Sequence, residues 1–224
     1  RADCTIICSE KRREQISYAS PRQLLVIHNT PPNETQIDGL DIKIPQSQKV
    51  RLVYVGVLTP ERMIEELMNF VIQHQNFELH IAGYGILESK VRENAKKYDN
   101  VFYYGKICYR DALSLERQCD VMTALYNPKI ANHKFAAPNK FYESLLLGKP
   151  IVVVKNTAID EYVEKYNLGC VIDYSEVGLK NGLLRLYEKR DEWERISSRS
   201  RQLYSNEFSW EIMAERLEKL YKSL

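Results

Sequence analysis

The chain has 224 residues, enough for one large α/β domain or for one domain carrying part of another, since domains run to roughly 100–200 residues. Lys+Arg 32 against Asp+Glu 30 leave a formal charge of +2, so no strongly basic surface is available to hold nucleic acid by counterion release. Apolar residues at 44%, charged residues at 28% and a mean hydropathy of −0.42 exclude disorder. No apolar run approaches the roughly 20 residues that cross a bilayer. Arg1 to Glu10 do not read as a cleavable leader, and a cytoplasmic protein is expected.

In chain order, Cys4–Cys8 and Leu24–His28 read as strands joined by a basic helix. A Pro-Pro-Asn stretch then leads into a polar segment ending at Lys49, the signature of a boundary. A single βαβ-like unit cannot bury both its faces, so residues 1–30 are expected to be the end of an upstream Rossmann-like domain absent from this chain. Residues 31–49 read as a linker and residues 50–224 as the main domain.

From Val50 onward, short apolar runs alternate with segments of helical period, the pattern of a parallel sheet wrapped by helices. The predicted strands are Arg51–Val57, Phe77–Gly83, Val101–Tyr104, Asp120–Tyr126, Pro150–Val154 and Gly169–Ile172, mostly too continuous in apolar content to be half exposed. Ile64, Leu67, Met68 and Val71 form one apolar helical stripe, and Leu87, Val91, Ala95 and Tyr98 another. Two helical stretches close the chain, about Ser175–Arg201 and Ser209–Leu224, the second with Trp210, Met213, Leu217 and Leu220 on one side and Ser209 as its N-cap. The expected fold class is α/β, a Rossmann-like parallel sheet with helices on both faces. Five irregularly spaced cysteines and four scattered histidines fit neither a disulfide framework nor a zinc site, and buried free thiols are expected.

In an open parallel sheet, ligands sit beyond the carboxyl ends of the strands where the strand order reverses. Three loops qualify. Gly56-Val57-Leu58-Thr59-Pro60-Glu61-Arg62 offers close backbone approach at Gly56 and a guanidinium at Arg62 that either grips a phosphate or is solvated. Gly83-Tyr84-Gly85 is too short for a dinucleotide fingerprint and reads as a tight turn. The third loop, His133 to Glu143, opens a helix at Pro138, and Gly148 ends it, which predicts a helix over about Asn139 to Leu147. The free amides near Asn139 and Lys140 would face an anion. Glu143, one turn further in, either faces solvent or accepts hydrogen bonds from two adjacent hydroxyls such as those of a ribose.

The run Pro-Asn-Lys-Phe-Tyr-Glu-Ser-Leu-Leu-Leu-Gly-Lys-Pro-Ile-Val-Val resembles the nucleotide-sugar signature of the family 4 glycosyltransferases of GT-B fold. Val53-Tyr54-Val55-Gly56, Leu79 to Gly85, Asn100 to Gly105, Cys119-Asp120-Val121 and Phe208-Ser209-Trp210 occur in the order that family uses, so the resemblance covers about Val50 to Leu224. Upstream, Ala2-Asp3, Ser9-Glu10 and Asn29 resemble the end of that family's first domain.

The resemblance implies the donor-binding C-terminal half of a retaining glycosyltransferase, which moves a sugar from a nucleoside-diphosphate sugar to a glycan or lipid-linked acceptor. The acceptor would be held by the upstream domain, and the protein could sit peripherally at the inner membrane face. Glu143 would bind the ribose hydroxyls, the amides near Asn139 and Lys140 the phosphates, and Arg62 would take the place of the family's phosphate-contacting lysine. Ile107 and Cys108 would meet the base through their backbone. Phe135 stands eight residues before Glu143, where many members carry a second glutamate near the donor sugar, and Val57 stands where an arginine is usual. No cofactor, metal or covalent nucleophile is implied. The alternative is a nucleotide-binding module of the same fold without transferase activity.

Overall fold

The computed structural model describes residues 2–32 and 42–223. Six parallel strands form the main sheet: β3 (Val50–Val57), β4 (Phe77–Tyr84), β5 (Val101–Tyr103), β6 (Val121–Ala124), β7 (Ile151–Val154) and β8 (Gly169–Ile172). Their spatial order is β5-β4-β3-β6-β7-β8, so the chain runs outward to one edge, returns to the centre and runs to the other. The reversal between β3 and β6 is the switch point where a doubly wound sheet opens a crevice. All five pairings are parallel.

Alternation along β3 sends Leu52 and Tyr54 to one face and Val53 and Val55 to the other. The first face is covered by α1 (Ile64–Gln73), α2 (Glu88–Lys97) and α6 (Glu176–Glu188), through Leu67, Val91 and Leu183 among others. The second is covered by α3 (Tyr109–Gln118), α4 (Asn139–Leu147), α5 (Asp160–Tyr166) and α7 (Trp193–Leu203), through Leu115, Leu145, Val163 and Leu203. This is the α/β architecture that the alternating pattern predicts.

Several boundaries differ from expectation. The helical stretch predicted over Ser175–Arg201 breaks at a short 3-10 turn, Arg190–Glu192, which separates α6 from α7. The predicted strand Asp120–Tyr126 shortens to Val121–Ala124. Its ends are held by other bonds: the Asp120 carboxylate accepts from the Arg51 amide at 2.8 Å, and Tyr126 lies under Arg62. Of the thiols, Cys119 and Cys170 are buried, Cys4 and Cys8 half-buried, and Cys108 exposed, which corrects the expectation of uniformly buried thiols.

Glycine is required where β3 and β4 leave the sheet. Gly83 adopts φ +144°, and a Cβ there would lie 1.8 Å from the Gly56 carbonyl oxygen. The two strand ends therefore approach as closely as they do only because position 83 lacks a side chain.

The N-terminal segment forms a separate pair of parallel strands, β1 (Thr5–Ile7) and β2 (Leu24–Val26), joined by a 3-10 helix over Glu10–Ile16. It meets the final helix, α8 (Trp210–Ser223): the His28 amide lies 3.3 Å from Met213 Sδ, and Arg216 donates to the Val26 carbonyl at 3.1 Å. Of the stripe expected on α8, Met213 is buried while Trp210 stays 45% exposed. The linker predicted over residues 31–49 falls partly outside the described residues; within it, Ile42 and Ile44 pack on the second core. Among the described residues no helix is long and apolar enough to cross a membrane.

Candidate functional site

The carboxyl ends of β3 and β6 and the start of α4 converge at the switch point. After β3 the chain makes a single 3-10 turn, Pro60–Arg62, pinned by the Arg62 amide to the Thr59 carbonyl at 3.1 Å. That turn lays the Arg62 guanidinium over the Tyr126 ring, 3.8 Å from its centroid, within range of a cation–π contact. Tyr126 is braced edge-on by His133, whose Nδ1 lies 2.9 Å from the Asn127 carbonyl. Arg62 Nη1 is buried and has no hydrogen-bond partner among the described residues. A buried guanidinium nitrogen left unpaired is costly, and the geometry is that of a donor awaiting an acceptor.

Lys140 enters the same crevice from the first turn of α4. Its Nζ stands 5.0 Å from the Tyr54 ring centroid, and a Cβ at Gly56 would lie 3.0 Å from it. Gly56 thus leaves room for the ammonium at the end of β3. Burial opposes the Lys140 charge, but the phenols of Tyr126 and Tyr54 and the carboxyls of Glu143 and Glu116 outweigh it and hold the pKa above its usual value. Lys140 is therefore a firm cation. The Tyr54 hydroxyl donates to the Val57 carbonyl at 2.7 Å, fixing the ring on which the ammonium rests.

Glu143 follows one turn into α4, a helix whose residues Phe141 to Leu147 are all buried. The carboxyl is not solvent-facing: the residue is 4% exposed. Burial pushes its pKa up, while Lys140 and a hydrogen bond from the Tyr109 hydroxyl pull the other way without cancelling the rise. Tyr109 opens α3 and is 45% exposed, so it stands at the mouth of the crevice. Gly148 ends α4 in the left-handed conformation, φ +65°, with its amide bonded to the Leu145 carbonyl at 3.2 Å.

The structure gathers Gly56, Arg62, Lys140 and Glu143 of the predicted site residues around one crevice. Asn139 is exposed at the first position of α4, where its amide lies in the unpaired first turn. Cys108 is the exposed residue preceding α3, and Ile107 packs on the second core. Phe135 lines a cavity of about 520 Å³ with Lys11, Lys129 and Asn156, whose wall includes none of Gly56, Arg62, Lys140 and Glu143. Four aromatic or acidic members were not predicted: Tyr54, Tyr109, Glu116 and Tyr126. One of them carried a signal, because Ala112, Glu116 and Cys119 sit at i, i+4 and i+7 on the buried stripe of α3.

Comparison with known proteins places the fold and the family. The structure superposes on sucrose-phosphate synthase from Thermosynechococcus elongatus with a TM-score of 0.75 at 16% identity, covering 100% of this chain and 58% of that one. It matches HepE of Anabaena, solved in complex with UDP-glucose, with a TM-score of 0.74 at 17% identity, covering 100% of this chain and 64% of that one. At such identities the likeness is one of fold, the GT-B glycosyltransferase fold. By sequence, an uncharacterised glycosyltransferase of Methanocaldococcus jannaschii is 21% identical over 197 residues, 83% of this chain and 49% of that protein. The chain thus spans about half the length of this curated relative. The family described as Glycosyl transferases group 1 matches residues 49–189, strands β3 to β8 with the whole crevice, and the chain belongs to that family.

Proposed function

We propose that this chain binds the donor of a retaining glycosyltransferase, a nucleoside-diphosphate sugar, whose sugar passes to a glycan or lipid-linked acceptor. The observation that carries the reading is the pairing of an unpartnered buried Arg62 donor and a firm Lys140 cation with a buried carboxyl, Glu143, one helical turn away. Two cations and the free amides at the start of α4 suit a diphosphate, whose charge grows as the sugar leaves; fixed charges aimed at that growth lower the barrier. An ionised Glu143 accepts from two neighbouring hydroxyls at once, as a ribose presents them. The UDP-glucose held by HepE, a protein of the same fold, supports a donor of this class.

In this reading the base lies along the backbone of Ile107 and Cys108, and the transferred sugar extends toward Phe135. The acceptor is held by an upstream domain, of which β1 and β2 are the last strands. Leaving-group charge falls on Arg62, Lys140 and helix-terminal amides, with no metal or cofactor taking part.

A thermal-shift screen of nucleoside diphosphates tests the reading, and failure of every one to raise the melting temperature overturns it. Arg62→Ala is expected to weaken a nucleoside diphosphate by about 1–2 kcal/mol more than the bare nucleoside, because hydrogen bonds to charged groups are worth about 1.5–3 kcal/mol and only the diphosphate offers the acceptor. Equal losses by calorimetry remove Arg62 from the site. Diphosphate binding is also expected to persist in excess chelator. A requirement for magnesium or manganese contradicts the assignment of the phosphate charge to protein groups.

A further inference from the structure

A second carboxyl lies beneath the crevice. Glu116 projects from the buried stripe of α3, is 2% exposed, and its Oε2 has no hydrogen-bond partner among the described residues. Its neighbours on the same stripe are Ala112, Leu115 and Cys119, which offer no strong donor. The charged groups facing it come from α4: Glu143, a like charge, and Lys140. Tyr109 and Cys119, at the two ends of its own helix, also feel its charge. From β3, Tyr54 lies against Lys140.

An ionised carboxylate with a buried, unpaired oxygen and a second carboxylate beside it is strongly disfavoured, and such a group neutralises by keeping its proton. Two carboxyls in one site ordinarily share a proton, and here their environments differ. Glu143 has the Tyr109 hydroxyl as well as Lys140, and Glu116 has Lys140 alone. The proton therefore belongs on Glu116. With it, the crevice holds two cations, Arg62 and Lys140, against one carboxylate; without it, the charges cancel and the attraction for a diphosphate is lost.

We propose that Glu116 is a positioning residue for the donor site: held as the neutral acid between α3 and α4, it leaves Glu143 as the sole carboxylate and keeps the Arg62–Lys140 cluster cationic. This rests on the donor-binding reading. Burial and the nearby Glu143 carboxyl both push the Glu116 pKa well above its ordinary value, in the direction required. Sign and consequence follow: as pH rises through the folded-state pKa, Glu116 ionises, the cluster loses its net positive charge, and diphosphate affinity declines. Tyr109 and Tyr54 do not intervene, because burial raises both phenols above their usual range.

The experiment has two arms. The first is an infrared spectrum of the ligand-free protein across about pH 6 to 9, in the wild type, Glu143→Gln, and the double variant Glu116→Gln/Glu143→Gln. A protonated-carboxyl band is expected at neutral pH in Glu143→Gln and not in the double variant. Its absence from both the wild type and Glu143→Gln overturns the proposal, and because these two proteins carry native Glu116 that comparison stands even if the Glu116 variants fold poorly.

The second arm measures UDP affinity by calorimetry over the same pH range for wild type and Glu116→Gln. The ratio of variant to wild-type affinity is expected to climb by roughly tenfold over the interval in which the wild-type band bleaches. A band that bleaches with no change in that ratio overturns the charge-setting role. Failure of wild-type protein to bind any nucleoside diphosphate overturns the donor reading itself, a result distinguishable from both others.

Discussion

Replacing Glu143 is expected to weaken a bound nucleoside diphosphate by about 1.5–3 kcal/mol, the value of hydrogen bonds to a charged acceptor, while leaving the ligand-free protein as stable as before or more so. The two effects have one cause. Glu143 is buried on a helix whose neighbouring residues are buried as well, and burial raises its pKa above the ordinary carboxylate value despite Lys140 and Tyr109. A folded-state pKa above the unfolded one means that its contribution to stability is fully present below the ordinary carboxylate range and is lost as pH rises through the folded value. Near neutral pH the ionised side chain is thus a destabilising presence, at about 1.4 kcal/mol for each tenfold weakening of the acid on folding.

Glu143→Gln is the cleaner variant, since it keeps the volume, whereas Glu143→Ala opens space between α3 and α4 that carries its own penalty. Glutamine puts a donor amide in place of the second acceptor oxygen, so it cannot accept one hydroxyl proton on each of two oxygens as a carboxylate does. Calorimetry against a nucleoside diphosphate and thermal melts of the apo protein decide the matter. Unchanged affinity returns Glu143 to a structural role, and a large fall in apo stability for the glutamine variant contradicts the electrostatic account.

The strands were legible because their signal is local. Runs such as Ile151 to Val154 are apolar on both faces, and all four residues are buried as the interior position of β7, between β6 and β8, requires. The α4 limits were equally legible, since Pro138 and Gly148 are stereochemical punctuation. The break between α6 and α7 was not, because Lys189-Arg190-Asp191-Glu192 contains no glycine or proline and three of the four, Lys189, Arg190 and Glu192, are good helix formers. Their turn answers to tertiary demand: Trp193 reaches back to the Leu186 carbonyl through its indole nitrogen at 3.1 Å.

The crevice divides along the same line. Arg62, Lys140 and Glu143 could be named from motif order. Tyr126 and Tyr109 could not, since their roles arise only when β6 ends beside β3 and α3 packs against α4. Glu116 lies between these cases: its place on an apolar stripe was readable, but the like charge opposite it belongs to a residue 27 positions away, which only the folded chain brings near.

The largest effect expected concerns transfer itself: this chain on its own should bind its donor nucleotide yet move sugar to an acceptor slower by several orders of magnitude than a protein carrying both halves of the cleft. In the donor-binding reading the crevice at the β3/β6 switch point holds the phosphate and ribose, and the residues assigned to them all lie within the domain over residues 50–224. Transfer needs a second reactant held against the sugar. Orienting two reactants supplies about 7–11 kcal/mol of barrier reduction, and in the donor-domain reading the groups that orient the acceptor belong to the upstream domain. The N-terminal strands fit that division, since among the described residues β1 and β2 form a sheet of two, with Ile6 47% exposed. A parallel sheet is ordinarily covered on both faces and continued at its sides. Donor affinity and turnover should be measured on one preparation, first alone and then with the upstream domain restored. Micromolar-to-millimolar binding (about 4–8 kcal/mol) without product, followed by transfer once the second domain is present, is the expected pair of results. Steady transfer by this chain alone would place the acceptor site within its 224 residues and move the domain boundary. Binding that never yields product with both halves present would leave a nucleotide-binding module that keeps the fold and the crevice without the chemistry.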